Sequence, residues 1–207
     1  MPSVVDTLLA NHSLISDQMD PGEMRVLLLQ LERTIAGGAD GAVVEFGCYL
    51  GTSSLFIRRI LDRYRSMAPF HVYDSFSGLP EKLPEDQSPA GEQFKAGELA
   101  ASKKAFQLQF KKANLVPPVI HKAWFHDLQA ADVPARISFA FLDGDYFESI
   151  LTPLRLIWDK LEPGAVVVVD DYANEALPGA RRAVETWLSN HSAALTTQAS
   201  LAIIIKR

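Results

Sequence analysis

The sequence predicts an α/β protein built around a layered, mostly parallel β-sheet. Five short apolar segments alternate with helical segments along the chain, which predicts parallel pairing through crossover connections. The segment PGAVVVVDDY at 163–172 is apolar on both faces until it reaches two aspartates, as is typical of a strand covered on both sides. Two further strand-like segments close the chain with no helix between them, so an antiparallel element is expected at one edge.

The first third of the chain predicts a helix, a strand and a second helix. Apolar residues recur at helical spacing over 21–36, where Asp20 can cap the helix and Pro21 suits its first turn. The run GAVVEF at 41–46 is short and apolar, which indicates a buried strand. Residues 53–66 return to helical spacing and predict the next helix.

The middle of the chain predicts two more strands and a helix around one long loop. Residues 69–76 (PFHVYDSF) are strand-like, and 77–98 are rich in proline, glycine and acids, which indicates a loop. An amphipathic helix is expected over 98–115. A third strand is expected within 117–125, and a fourth over 137–145, where it ends in acids.

The last third predicts two helices and the closing pair of strands. Residues 148–161 have a helical pattern, although Pro153 requires that helix to start early or bend. Residues 179–191 predict a second helix beyond the fifth strand. The segments 193–200 and 201–207 follow each other directly and are expected to form a hairpin.

The composition favours one domain over 1–207 and excludes several classes of protein. With 48% hydrophobic residues the chain can bury a large core, and a net charge of −5 disfavours a general nucleic-acid binder. No apolar run approaches the roughly 20 residues that span a bilayer, so no membrane partner is expected. The beginning of the chain lacks the pattern of a signal peptide, and a single cysteine fits a reducing compartment. We therefore expect a cytoplasmic location.

Acidic residues follow four of the predicted parallel strands. Glu45 ends the first strand, Asp74 the second, Asp143-Gly144-Asp145 the fourth and Asp170-Asp171 the fifth. Ligands of open α/β sheets lie beyond the carboxyl ends of the strands. The sequence therefore predicts a concentrated negative site at that edge.

The stretch VVEFGCYLGTSS at 43–54 predicts a turn that a ligand approaches closely. Gly47 and Gly51 permit positive φ and a bare backbone. A dinucleotide fingerprint needs glycine where the chain has Tyr49, and no lysine follows Gly51 as a phosphate-binding loop requires. Asp74 lies where an acid can bind the ribose hydroxyls of an adenosine ligand. A tight turn without a ligand is the alternative.

Three of the aspartates have the chemistry of a magnesium site. Neighbouring strands lie about 4.8 Å apart, so Asp143, Asp170 and Asp171 could share one hard cation with water and substrate oxygens. Successive strand residues point to opposite faces, so sharing requires the chain to turn immediately after Val169. The alternative is that these acids cap helices.

Four stretches together identify a family resemblance: VVEFGCYLGTSS, VYDSFSGLPE, FLDGDYFESI and PGAVVVVDDY. The chain resembles the macrocin O-methyltransferase family over about residues 23–190. This family consists of enzymes that depend on S-adenosylmethionine and a metal and act on sugar hydroxyls of natural products. The resemblance implies a class I methyltransferase (Rossmann-like) fold: a doubly wound, seven-stranded, mostly parallel sheet whose last strand is antiparallel.

The resemblance also implies roles for individual residues. Asp143, Asp170 and Asp171 match the magnesium ligands, and Asp143 matches the proposed general base. The role of Asp145 stays open, and the helical region 1–38 is expected to help cover the site. The predicted cofactor-binding residues are Glu45, Gly47, Cys48, Gly51, Asp74, Ser75, Phe76, Trp124, Phe125 and Asp143.

The resulting hypothesis is methyl transfer from S-adenosylmethionine to the hydroxyl of a small molecule, assisted by Mg²⁺ or a similar ion. Sugars, catechol-like phenols and other diols all fit as acceptors. A non-catalytic module that binds an adenosine ligand is one alternative, and an NAD-dependent oxidoreductase is another. The apolar N-terminal helix leaves a homo-oligomer open.

Overall fold

The computed structural model describes residues 3–206. Six α-helices and seven β-strands are found in this part of the chain. The helices are α1 (Val4–Asn11), α2 (Pro21–Ala36), α3 (Thr52–Arg63), α4 (Lys103–Ala113), α5 (Phe147–Ile157) and α6 (Pro178–Leu188). The strands are β1 (Ala42–Phe46), β2 (Phe70–Asp74), β3 (Val119–Lys122), β4 (Ile137–Leu142), β5 (Leu161–Val169), β6 (Ala193–Gln198) and β7 (Leu201–Lys206).

The seven strands form one sheet in the order β3-β2-β1-β4-β5-β7-β6. Strands β1 to β5 pair in parallel, while β7 runs antiparallel between β5 and β6. The predicted α/β class, the parallel strands and the closing hairpin are therefore confirmed. The order reverses beside β1, which pairs with both β2 and β4, and ligands of such sheets bind at this point.

Helices cover both faces of the sheet. Val43 of β1 joins a buried cluster with residues of α2, α3 and α4, whereas Val44 joins a second cluster with residues of α5 and α6. The same alternation along β5 places Val166 in the first cluster and Val167 in the second. Burial on both faces explains why β1, β4 and much of β5 are apolar runs.

Several element boundaries differ from the sequence-based expectation. Helix α4 begins at Lys103 and not at residue 98, because Ser102 caps it by accepting from the Ala105 N–H. Strand β3 ends at Lys122, so Trp124 and Phe125 lie beyond it. Pro153 lies inside α5, six positions after the helix begins at Phe147.

Among residues 3–206, none of the helices combines the length and apolar character required to cross a membrane. Helix α1 was not predicted as a separate helix, although residues 1–38 were expected to be helical. Ser3 caps α1 by accepting from the Asp6 N–H, and Val5 buries its side chain in the cluster shared with α2.

Candidate active site

A cavity of about 580 Å³ opens at the carboxyl ends of the parallel strands. Side chains from the N-terminal region reach it as well, namely Asp17, Gln18 and Glu23. Its remaining walls come from the turn after β1 (47–49), the end of β2 (74–75), the loop 78–99, the segment 123–126 and the segment 143–152, with Asp171 and Asn174. The cavity thus occupies the edge at which the sequence predicts a ligand.

Gly47 lets the turns after β1 and β4 approach each other closely. Its φ is +87°, and a Cβ there would lie 1.7 Å from the Asp143 carbonyl oxygen. The Asp143 N–H in turn donates to the Phe46 carbonyl at 2.8 Å. Any side chain at position 47 would therefore push the Asp143 backbone away, so this glycine fixes Asp143 at the cavity wall.

Gly51 has a structural role that the sequence does not reveal. Its φ is +94° at the start of α3, and a Cβ there would lie 2.9 Å from the Phe106 ring. The residue is not part of the cavity wall in the described chain. The packing of α4 on this turn therefore requires glycine at position 51.

Asp74 organises the glycine-containing turn through its carboxylate. Oδ2 accepts from the Cys48 N–H at 2.9 Å and the Tyr49 N–H at 3.3 Å, with the Cys48 thiol at 3.4 Å. Oδ1 accepts from the Phe76 N–H at 2.6 Å. A carboxylate offers about four acceptor positions, so Oδ1 keeps room for one further donor from the cavity.

Glu45 lies beneath the turn, and it is not part of the cavity wall. Its side chain is fully buried and accepts hydrogen bonds from the hydroxyls of Ser53 and Ser54 on α3. Burial raises the pKa of this carboxyl to about 7, against the opposing effect of the two hydroxyls. In this position Glu45 ties β1 to the first turn of α3.

The remaining predicted cofactor residues divide between the wall and the layer behind it. Cys48, Ser75, Trp124 and Phe125 line the cavity. Phe76 lies behind the wall and packs edge-on against Phe106 at 6.0 Å between ring centroids. Phe125 rests edge-on against Phe46 at 5.5 Å, and Trp124 stacks on His126 at 6.2 Å.

Asp143, Asp170 and Asp171 converge beside the cavity, and Asp143 and Asp171 belong to its wall. Each offers a carboxylate oxygen, and these oxygens all lie within 4.8 Å of one another. Strand β5 ends at Val169, and Asp171 has a φ of +56°, so the chain turns where sharing of one ion requires it. Asn174 donates to Asp171 Oδ1 at 2.9 Å and orients it.

The cluster places buried negative charges together without a cationic side chain. Burial and then mutual repulsion raise the pKa values of Asp143 and Asp170 well above their ordinary range. The same effects raise the pKa of Asp145 to about 8, and burial raises that of Asp171 to about 6. None of the ion pairs between residues 3 and 206 involves these aspartates. A set of close carboxylates that provides only oxygen ligands is suited to a hard divalent cation.

Two contributors to the cavity wall carry no sequence signal. Asp86, from the long loop, accepts from the Phe147 N–H at 2.6 Å across 61 positions of the chain. Glu23, at the start of α2, accepts from the Asp20 N–H and the Ser200 hydroxyl and raises the pKa of Asp170 and Asp171. The contacts of Asp86 with Phe147 and of Glu23 with Ser200 join distant segments, so no local pattern predicts them.

The family model for macrocin O-methyltransferase (TylF) matches residues 11–199. The chain belongs to the macrocin O-methyltransferase family. One relative is the 8-demethyl-8-(2,3-dimethoxy-alpha-L-rhamnosyl)-tetracenomycin-C 4'-O-methyltransferase of Streptomyces olivaceus, which is 31% identical over 70% of this chain and 58% of that protein. Mycinamicin III 3''-O-methyltransferase of Micromonospora griseorubida is 28% identical over 78% of this chain and 65% of that protein. The chain spans about three fifths of the length of the curated relatives it matches.

Solved structures confirm the class I methyltransferase fold expected for the macrocin O-methyltransferase family. The O-methyltransferase NovP superposes with a TM-score of 0.77 at 22% identity, covering 90% of this chain and 80% of that one. An O-methyltransferase from Bacillus cereus in complex with SAH superposes with a TM-score of 0.63 at 17% identity, covering 98% and 89%. At these identities the likeness establishes the fold alone.

Proposed function

We propose that this protein is an S-adenosylmethionine-dependent O-methyltransferase that acts on a hydroxyl of a small sugar-bearing or diol-like molecule with the help of a divalent ion. The observation that carries the proposal is a cluster of three converging carboxylates at the cavity that also contains the turn held by Asp74: Asp143 and Asp171 line this cavity, and Asp170 lies directly beside them. One part of the cavity can bind an adenosyl group, and the neighbouring part can bind an ion and an acceptor oxygen.

The residues around Asp74 fit the cofactor. Asp74 Oδ1 has room for a ribose hydroxyl, since its one donor is the Phe76 N–H. Trp124 and Phe125 provide flat apolar surface at the wall, which suits an adenine ring. The cofactor carries a sulfonium cation, which the acidic lining of the cavity attracts.

The acid cluster fits Mg²⁺ or a similar ion, with Asp143, Asp170 and Asp171 as ligands. When bound, such an ion lowers the pKa of a hydroxyl that it binds and fixes its position. Asp143 is the proposed general base: its carboxylate takes the hydroxyl proton as the oxygen–methyl bond forms and the sulfur–methyl bond breaks. Gly47 keeps the Asp143 backbone against the cofactor turn, so donor and acceptor are aligned.

The charge of the cavity favours an acceptor without phosphate groups. Among the described residues of the wall there is no lysine or arginine. The acidic wall residues are Asp17, Glu23, Asp74, Glu81, Asp86, Asp143, Asp145, Glu148 and Asp171. The diphosphate of a nucleotide-linked sugar would be repelled by the negative charge of the wall and would find no basic partner there. A neutral or amine-bearing glycoside carries no such negative group.

The N-terminal region completes the proposed site. Asp17, Gln18 and Glu23 reach the cavity wall, which supports the proposal that the N-terminal region of a single domain over 1–207 helps to cover the site. A cytoplasmic location is part of the proposal, because Cys48 is a free, buried thiol beside the cofactor turn. Self-association stays a prediction from the apolar N-terminal helix.

The acid cluster also weighs against the two alternative functions. A module that only binds an adenosine ligand has no need of three close carboxylates, and neither has hydride transfer to NAD. Tyr49 further disfavours a dinucleotide, because its side chain occupies the position of the fingerprint glycine.

The proposal is tested by incubating the protein with S-adenosylmethionine, MgCl₂ and a panel of glycosides, followed by mass spectrometry for a gained methyl group. The panel contains neutral glycosides, amine-bearing glycosides and nucleoside-diphosphate sugars. We expect methylation of a neutral or amine-bearing glycoside that EDTA abolishes. Turnover that is equal with and without EDTA contradicts the metal role, and preference for the nucleotide sugars contradicts the acceptor class.

A further inference from the structure

The loop 79–98 forms a closed Ω-shaped wall beside the acid cluster. Its two ends are joined by backbone hydrogen bonds, from Leu79 N–H to the Glu98 carbonyl and from Gly97 N–H to the Leu79 carbonyl, both at 2.9 Å. Inside the neck, Leu83 and Phe94 face the cavity. A loop closed at its neck moves as one unit, so each anchor beyond the neck helps to set its position over the cavity.

Asp86 supplies such an anchor. Its side chain is 3% exposed, and its two oxygens bind different partners. Oδ2 accepts from the Leu83 N–H within the loop at 2.9 Å, and Oδ1 accepts from the Phe147 N–H of α5 at 2.6 Å. One carboxylate therefore joins the loop to α5, and both segments line the cavity.

Helix α5 depends on this contact because it has no cap of its own. Tyr146 is at its N-cap position and makes no capping hydrogen bond through its side chain. An acid at a helix N-terminus satisfies a free N–H group and interacts favourably with the helix dipole. The first turn of α5 directly follows Asp143, Gly144 and Asp145, so the anchor also holds the turn that bears the proposed general base.

Gly179 of α6 makes room for the anchor. A Cβ at this position would lie 1.9 Å from Asp86 Oδ1 and 2.6 Å from the Phe147 nitrogen. Arg182, one turn further along α6, donates to the carbonyls of Glu85 and Gln87 on either side of Asp86. The packing of α6 is therefore fitted to the bond between loop and helix.

We propose that Asp86 is a positioning residue that holds the loop 79–98 closed over the acceptor part of the cavity and fixes the turn containing Asp143. Its role in catalysis rests on the methyltransferase function proposed above. The link itself, from the loop through Asp86 to α5, is a property of the fold and can be tested separately.

The test compares wild type with Gly179→Ala, Asp86→Asn and, as a control on the same helix, Arg181→Ala. Gly179→Ala breaks the contact with Phe147 without altering Asp86, and alanine is otherwise the better helix former. Asp86→Asn keeps the shape of the side chain but leaves an amide group facing one of the two N–H donors. Arg181 is exposed and pairs with Glu185 on the same helix.

The first measurement is trypsin cleavage at the Lys82–Leu83 bond, whose amide Asp86 holds. We expect cleavage about tenfold faster in Gly179→Ala and Asp86→Asn, with Arg181→Ala equal to wild type. Binding of S-adenosylhomocysteine, measured by calorimetry, should stay within about twofold, because the Asp74 turn is untouched. Unchanged cleavage in both variants, or a parallel loss of ligand binding, overturns the positioning role.

The second measurement is steady-state kinetics with the glycoside that wild type methylates best in the panel above. We expect the KM for this glycoside to rise about tenfold in both variants and the KM for S-adenosylmethionine to stay within about twofold. A glycoside KM equal to that of wild type contradicts the proposal. If no glycoside is methylated by wild type, the proposed function fails, while the cleavage measurement still decides whether Asp86 holds the loop.

Discussion

At one end of the cavity Asp74 is surrounded by donors, whereas at the other Asp143, Asp170 and Asp171 face one another. Asp74 accepts from three backbone N–H groups, so its charge is matched by the fold itself. In the acid cluster the carboxylate oxygens lie close to one another, and burial and repulsion raise the pKa values of Asp143 and Asp170.

This difference separates an acid that shapes the protein from acids that need a ligand. Buried carboxylates are stable when hydrogen bonds or opposite charges compensate them, and Asp74 meets that condition within the chain. Asp170 accepts one hydrogen bond, from the Asp171 N–H at 3.0 Å, but no ion pair between residues 3 and 206 compensates Asp143 or Asp170. Uptake of protons or a cation compensates them instead, which makes their end of the cavity responsive to metal and pH. A substitution at one end should leave the other end unchanged, so the unchanged end serves as an internal reference.

The largest effect is expected for Asp143→Asn, which removes a proposed ion ligand and the general base. Turnover should fall by about 10³-fold or more, while S-adenosylhomocysteine still binds because Asp74 is intact. Rates and calorimetry on the same preparation measure both quantities. Asp159→Asn, at an exposed aspartate, is the matched control and should keep full activity. Normal turnover of Asp143→Asn would remove this residue from the chemistry.

A smaller effect is expected at the opposite end for Asp74→Ala. Affinity for S-adenosylhomocysteine should fall by about 10–100-fold, because a charge-assisted bond to the ligand and the order of the Cys48–Tyr49 turn are lost together. Mg²⁺ binding should persist, since the acid cluster is unchanged. Asp74→Asn should be intermediate, because one amide oxygen can replace only one of the two carboxylate oxygens. Calorimetry with unchanged affinity would exclude Asp74 from the cofactor site.

The metal dependence of stability distinguishes the cluster from an ordinary set of surface acids. At about 100 times its Kd, Mg²⁺ should stabilise wild type by about 2.7 kcal/mol, or about 5–11 °C in Tm for a chain of this size. Asp170→Asn should raise the Tm measured in EDTA, because one buried charge and its repulsion are removed, and should lose the Mg²⁺ response. Thermal melts with and without the ion test both statements. An equal Mg²⁺ response in both proteins would contradict them.

The smallest effect is expected in the pH dependence of the metal-free protein. The pKa of Asp171 is raised to about 6 and that of Asp145 to about 8, so the folded state binds more protons than the unfolded state above about pH 4. Stability should therefore fall as pH rises from about 5 to about 8, and saturating Mg²⁺ should reduce the slope. Urea unfolding in EDTA measures it. A metal-free stability that rises over this range would contradict the raised pKa values.

The sequence predicts the two ends of the cavity because both depend on the edge shared by parallel strands. Glu45 and Asp74 lie at the ends of β1 and β2, and Asp143 and Asp170 directly follow β4 and β5, so the strand pattern alone brings them to one edge. The strand pattern predicts only that an antiparallel element lies at one edge of the sheet. The family resemblance adds that the last strand, β7, is the antiparallel one in a seven-stranded sheet. The turn after Val169, required for Asp170 and Asp171 to share an ion, is visible only in the structure.

The sequence does not predict contacts between segments that are distant along the chain. Glu45 lies near the end of β1, yet its carboxylate turns toward Ser53 and Ser54, because the direction of its side chain depends on the packing of α3. Asp86 lies in a segment that composition describes only as a loop, and its partner Phe147 is 61 positions away. Gly179 has no unusual φ, so only its packing against Asp86 explains why glycine is needed.

The most direct measurement is anomalous diffraction from crystals grown with MnCl₂ and S-adenosylhomocysteine, since manganese prefers the same oxygen ligands as magnesium. We expect one strong anomalous peak within coordination distance of the carboxylates of Asp143, Asp170 and Asp171, beside an adenosyl group whose ribose contacts Asp74. A map with the ligand in place and no peak between these three carboxylates would contradict the metal site on which the proposed function rests.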